Sequence, residues 1–546
     1  MISGRICRGA AALSSTSIRT FGGLAERKHF RLALLGALAL GFSAQATAQT
    51  VVTTTGGEIR GKASGRAEAF LGIPYAAPPV GSLRWREPQA AISWRGVRDA
   101  SAFGPVCQQG VPAPWGPYTA EFLAAPPMSE DCLTLNVWRP RGAAVKKLPM
   151  LVFIHGGGFG GGAGSLPIYD GAKLASRGAV VVTINYRVGV LGFMAHPALT
   201  AESPLGSSGN YGLLDQIAAL KWVRANAARF GGDAGNVTVS GESAGAASVA
   251  DLLISPMARG LFDKAIAFSG ASMAVDVPPL AENEKIGSDL AARLGKITVA
   301  QMRDVPPEVL IEATRYVPGA NSGPPRLMFV PNVDGKVVPF DPIRASGPVA
   351  SLVPLITGYN SAEMIDISVR TPAQFAAAVR ARYGASADRL LALYPHATDE
   401  EAVASNALIA RDRYMAGLLL WSKERTRSAG QPVFAYLYDH AYPVVKGGQS
   451  WGAFHSSQLP YVFGNIGLGD RSWTAADSRV VRQWQDRILA FMRGAVPGKG
   501  WTQVGKSSTT VMLLGDREGM RAAVSSPERF EAFRAYAASG GKLGLM

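Results

Sequence analysis

Residues 236–250 read NVTVSGESAGAASVA, and this stretch narrows the available folds more than any other in the chain. Val237, Thr238 and Val239 supply the β-branched residues of a buried strand. Ala244 to Ala247 then open an apolar run through Val249, Leu252 and Leu253. Between them Gly241-Glu242-Ser243-Ala244-Gly245 fits G-x-S-x-G, the turn that lifts a serine hydroxyl clear of a strand as a helix begins. Glycines flank such a turn because backbone crowds backbone there, and the positive end of the helix dipole faces the reacting centre. The order points to an α/β fold with Ser243 as nucleophile. A second match, Gly448-Gln449-Ser450-Trp451-Gly452, follows the loop-like Pro443-Val444-Val445-Lys446-Gly447 and puts bulky Trp451 where the turn needs a small residue. Ser450 therefore reads as an ordinary loop serine.

Ester chemistry through serine also needs a base, a carboxylate to orient it, and donors for the oxyanion. Leu148 to Ile154 (LPMLVFI) reads as a short buried strand running into His155-Gly156-Gly157-Gly158-Phe159. Glycines there let backbone N–H groups approach a developing negative charge, and the Ala244 amide is a further donor. Of six histidines, His29, His155 and His196 precede the serine, and the chain order Ser…Asp/Glu…His leaves His396, His440 and His455. His396 follows Tyr394-Pro395 and His440 ends the strand-like FAYLYDH, settings that suit surface or core roles. His455 lies among small and apolar residues between Trp451 and Gly464. Context alone leaves that choice open.

The first fifty residues differ from the rest. Arg5, Arg8, Arg19, Arg27, Lys28 and Arg31 stand against Glu26 alone, then Leu32 to Phe42 is apolar, then comes Ala44-Gln45-Ala46-Thr47-Ala48. This is a secretory signal layout, with cleavage expected after Ala48, Ala46 as the alternative, and a start later than Met1 left open. The apolar run is too short to cross a hydrocarbon core, which takes about 20 residues, so no stable membrane anchor is expected. Removing the signal takes the formal charge from +15 to +10. The cations are scattered and do not alternate with aromatics, so nucleic acid is not an expected partner. The remaining positive charge suits steering of anionic substrates, with Arg84, Arg86, Arg95 and Arg98 as candidates. Cys107 and Cys132 remain after Cys7 leaves, and an oxidising compartment would pair them. On the loop-entropy model that bridge would contribute about 3.5 kcal/mol.

Several motifs carry a resemblance. FGGDAGNVTVSGESAG (230–245) and EDCLTLNVWRP (130–140) are similar to the two signatures of the type-B carboxylesterase family, which includes bacterial and animal carboxylesterases and the cholinesterases. FLGIPYAAPPVGSLRW, NYRVGVLGF, GNYGLLDQ, FVPNVDG and GYNSAE resemble further family motifs, so the likeness spans roughly residues 51–510. It implies Ser243 as nucleophile, Glu363 as acid and His455 as base, with Gly157, Gly158 and Ala244 as oxyanion donors. It also implies Glu242 and Ser269 beside the triad, and Cys107 with Cys132 as the first disulfide. Gln458 stands where the family often has Glu, Ala246 where Gly is common, and Phe268 where Gln is common.

The combined expectation is a secreted or periplasmic serine carboxylesterase: a signal over 1–48, then one α/β-hydrolase domain over 49–546. Its mainly parallel sheet would be flanked by helices, with helical insertions around the gorge. Insertions between about 275 and 440, including helix-like Thr371 to Leu393, would shape the rim, and Trp115, Tyr118 and Phe122 would line it. The implied substrate is a small-molecule ester, with no cofactor and no metal, and the oligomeric state stays open. Rivals are an inactive esterase-like binding protein and a serine peptidase on the same fold. Activity should rise through a histidine pKa of about 6 to 7.

Overall fold

Val180–Ile184 (VVVTI) is buried at every position, as a strand covered on both faces must be. In the computed structural model the described residues are 50–142, 147–270, 277–295, 298–315, 329–342, 350–363 and 365–544. The expected signal, 1–48, lies outside them. Among the described residues a mixed sheet of eleven strands dominates. Its parallel part runs Thr510–Gly515, Val433–Asp439, Leu355–Asn360, Lys264–Phe268, Gly232–Glu242, Leu148–Ile154, Val180–Ile184 in spatial order. Antiparallel strands close both edges.

This order has a switch point. From Leu148–Ile154 the chain goes to Val180–Ile184 on one side, then returns across to Gly232–Glu242 on the other and continues outward. Loops leaving the two strands at the switch diverge, which opens a crevice at their carboxyl ends. Those ends lead into His155-Gly156-Gly157 and into Ser243.

Alternation along Leu148–Ile154 decides which layer each side chain joins. Met150, Val152 and Ile154 enter one core with Tyr211 and Leu252 of the helices Tyr211–Asn226 and Ala244–Ile254. Leu151 and Phe153 enter a second with Phe463 and Trp484, the latter from Ala475–Gly494. A third core gathers Phe375, Leu390, Leu418 and Phe533. The helix-like stretch Thr371 to Leu393 forms Pro372–Tyr383 and Ala387–Leu391, and its apolar face goes into this third core against Asp399–Ala429 and Pro527–Ala538.

Cys107 and Cys132 form a disulfide with Cα atoms 4.9 Å apart. Among the described residues no helix is long and apolar enough to cross a membrane.

Candidate active site

Ser243 is the single residue between the strand Gly232–Glu242 and the helix Ala244–Ile254, at φ +57° and ψ −121°. For a residue with a Cβ this conformation costs about 1–3 kcal/mol and persists only where surroundings enforce it. They do so here. A Cβ on Gly241 would lie 2.2 Å from Gly245 O, and one on Gly245 would lie 2.1 Å from Ile154 O. Ser243 N–H donates to Phe268 O at 3.0 Å, while its C=O accepts from Ala247 N–H at 2.9 Å. Ser450, by contrast, is exposed, and its Oγ accepts from Gly452 N–H at 3.3 Å in a loop.

The glycine loop leans on this elbow. A Cβ on Gly156 would stand 2.7 Å from Glu242 Oε2 and 2.9 Å from Ser243 Cβ. Gly157 and Gly158 take φ +109° and +63°. Ala244 opens its helix, so its N–H has no helical acceptor. His155 stacks on Tyr186 at 4.3 Å, and burial holds its imidazole down to about 4, which leaves it neutral.

Glu363 follows the strand Leu355–Asn360 and is fully buried. Its Oε2 accepts from His455 Nδ1 at 2.5 Å, and its Oε1 accepts from Ser269 Oγ at 2.5 Å and Asn360 N–H at 2.9 Å. A bridge between Ala362 and Phe454 sets the two loops in register. Three bonds on one carboxylate fix the ring and its tautomer, leaving Nε2 as the nitrogen that Glu363 does not engage.

Nε2 meets a second carboxylate. Glu242 Oε1 lies 3.3 Å from it and also accepts from Ser456 Oγ at 2.7 Å. Burial by itself would push the His455 pKa down, yet Glu363 and Glu242 outweigh it and raise the imidazole to about 9. Burial pushes the Glu242 carboxyl up, against the pull of His455 and the Ser456 hydroxyl. The imidazole thus stands above the expected range of about 6 to 7, because both flanking carboxylates are buried with it.

Gln458 is buried and its Oε1 accepts from Asn360 Nδ2 at 2.6 Å, which puts it one residue removed from Glu363. Among the aromatics, Tyr118 donates its hydroxyl to His455 O at 3.0 Å. Trp115 packs against Tyr118 in a tilted pair with ring centroids 4.6 Å apart and is 62% exposed, whereas Phe122 is packed between Tyr442 and Phe454. Two proposed steering cations are already engaged: Arg84 is buried against Glu130, and Arg86 pairs with Glu202. Arg95 and Arg98 are exposed. The side-chain roles of Asn360 and Ser456 had no signal of their own, because they depend on partners 98 and 214 residues away.

The model of the Carboxylesterase family matches residues 48–529. The chain belongs to the carboxylesterase family. It is 36% identical over 486 residues to a fumonisin B1 esterase of Sphingopyxis macrogoltabida, covering 86% of each chain. It is 37% identical over 459 residues to a para-nitrobenzyl esterase of Bacillus subtilis (strain 168), covering 80% of this chain and 88% of that one. A solved PNB esterase superposes with a TM-score of 0.73 at 33% identity, covering 89% of this chain and 100% of its own. The fold is thus the α/β-hydrolase fold, and this family member is a carboxylic ester hydrolase.

Proposed function

We propose that Ser243, His455 and Glu363 carry out ester hydrolysis through an acyl-enzyme, with the N–H groups of Gly157, Gly158 and Ala244 as the oxyanion hole. The strained elbow at Ser243, whose preceding residue Glu242 lies 3.3 Å from the Nε2 of an imidazole oriented by buried Glu363, carries this reading. Neutral His455 takes the Ser243 proton on Nε2 as Oγ attacks the ester carbonyl carbon. The carbonyl electron pair moves onto oxygen, where the N–H donors stabilise it. Collapse breaks the bond to the alcohol oxygen, which leaves with the proton from His455. Water repeats the sequence on the acyl group, releasing the acid and restoring Ser243.

Because His455 is raised to about 9, kcat/KM should climb through that region as the imidazolium loses its proton. Substitution tests the assignment: Ser243→Ala should lower hydrolysis by about 10⁶-fold, with Ser450→Ala near wild type. A folded Ser450 variant as inactive as the Ser243 variant would refute it.

We further infer that 1–48 is an export signal, that 49–546 acts as one catalytic domain, and that the protein works in a secreted or periplasmic setting. The disulfide supports this, since such bonds persist in oxidising compartments. N-terminal sequencing of exported protein should begin near Gln49, and retention of the leader would overturn it. A preference for anionic esters now rests on Arg95, Arg98 and overall charge. It requires kcat/KM for a carboxylate-bearing ester to fall between about 0.01 and 0.15 M salt, as the Debye length shrinks from about 30 to 8 Å. A flat response would remove it.

A further inference from the structure

We propose that Gln109 is a positioning residue for the oxyanion hole, tying the glycine loop to the segment stapled by the Cys107–Cys132 disulfide. The inference rests on the reading of Gly157 and Gly158 as oxyanion donors and adds what holds them. Gln109 is buried, 6% exposed. Its Oε1 accepts from Gly162 N–H at 2.7 Å, and its Nε2 donates to Gly162 O at 2.8 Å and to Cys107 O at 2.9 Å. The carboxamide thus pairs with Gly162 as a neighbouring strand would, and both of its hydrogens are used.

Gly162 matters because the loop closes on itself. A Cβ on Gly162, at φ +106°, would lie 2.4 Å from Gly156 O, and one on Gly157 would lie 2.4 Å from Gly161 O. The N–H groups of Gly160 and Gly161 both donate to Gly157 O at 3.1 Å. Gly161 and Gly162 are therefore the wall against which Gly156 and Gly157 are set, and Gln109 grips that wall from outside. Other ties hold other points: Tyr186 Oη donates to His155 O, Gly189 N–H to Phe159 O, and Gly164 N–H to Asn185 Oδ1. The Gln109 tie alone among these comes from the disulfide segment, two residues past Cys107, where Val106–Cys107 pairs with Met128–Ser129. A run of glycines has little stiffness of its own, and oxyanion donors must be held to within about 0.5 Å.

Gln109→Leu removes all three bonds. Gln109→Glu keeps volume and one acceptor but sets a carboxylate oxygen against two carbonyl oxygens. Losing one oxyanion donor costs about 10²–10³ in kcat, so a loosened pair should cost about 10–100-fold. The expected result in both variants is that kcat per active site, titrated with a phosphonate, falls by that factor while KM changes little. Affinity for an aryl trifluoromethyl ketone, whose adduct bears the oxyanion, should fall in parallel, and the acidic limb of the pH profile should stay in place. A purely structural role would lower thermal stability and the titrated fraction, leaving kcat per site and ketone affinity alone. Wild-type values of those two quantities in either folded variant would overturn the proposal; if Gln109→Leu does not fold, Gln109→Glu decides. Gly157→Ala, whose Cβ would stand 2.4 Å from Gly161 O, must displace that loop, so wild-type kcat and ketone affinity in it would instead overturn the parent reading, and the two failures are distinguishable.

Discussion

Two histidines in this molecule are buried to the same degree, 7% exposed, and each stands between two carboxylates. His455 has Glu363 on Nδ1 at 2.5 Å and Glu242 near Nε2 at 3.3 Å. His440 has Asp516 on Nδ1 at 2.6 Å and Asp477 on Nε2 at 3.0 Å. The difference lies in what the second nitrogen is left to do. Asp477 is fixed by Tyr461 Oη and by the N–H and hydroxyl of Thr474, so His440 joins the end of one strand to the start of the helix Ala475–Gly494. Glu242 holds Nε2 only loosely and sits one residue before a strained, half-buried serine. Two close carboxylates make His440 a tie; the looser contact on His455 Nε2 is what the proposed role as base requires.

Truncating each ring separates the two most sharply. His455→Ala should abolish ester hydrolysis by about 10⁶-fold with the fold intact, since one member lost from such a triad costs nearly as much as all of them. His440→Ala should leave kcat within a few-fold and lower the melting temperature, because buried Asp477 loses a partner. Equal losses of activity in the two variants, both folded, would break the comparison. Next in size is Glu363→Gln, expected to lower kcat by about 10⁴-fold by disturbing the tautomer. An amide there that works as well as the carboxylate would contradict the role given to Oε2.

Charge rather than orientation is tested at Glu242. Glu242→Gln removes a negative charge beside Nε2, so the acidic limb of kcat/KM should move below the wild-type value of about 9. An unmoved or higher limb would show that Glu242 does not act on the ring. The same raised pKa bears on stability. His455 sits above its unfolded value of about 6.5, so the ion-paired imidazolium stabilises fully below that pH, and the contribution is lost as pH rises through about 9. Activity and this stabilisation therefore run in opposite directions with pH. The smallest effect belongs to Gln458→Glu, which acts from behind Asn360. It should move the limb upward by less than Glu242→Gln moves it down; a downward shift would contradict its position near the triad.

Much of this site was legible before the fold was known. Ser243 was marked by a β-branched run, a glycine pair and an alanine run in immediate succession, and those local steric demands recur in the strained elbow. Glu363 and His455 came from motif resemblance, and the bridge Ala362–Phe454 gives the physical reason their spacing works. The raised pKa was not legible, because it depends on how closely residues 242 and 363 approach the ring and how completely all three are buried, which motif resemblance does not give. Neither were Ser456 and Asn360, whose bonds to Glu242 and Gln458 span 214 and 98 residues. Arg84 looked like a free cation for lack of any local sign of Glu130, 46 residues on.

Labelling with a neutral phosphonate tests the central claim, that Ser243 is activated by His455 and not by the other carboxylate-flanked histidine. Wild-type protein and His440→Ala should each take one label, and mass mapping should put it on the peptide containing Ser243. His455→Ala should take almost none over the same time. A label kept by His455→Ala, lost from His440→Ala, or mapped to Ser450 would contradict the account.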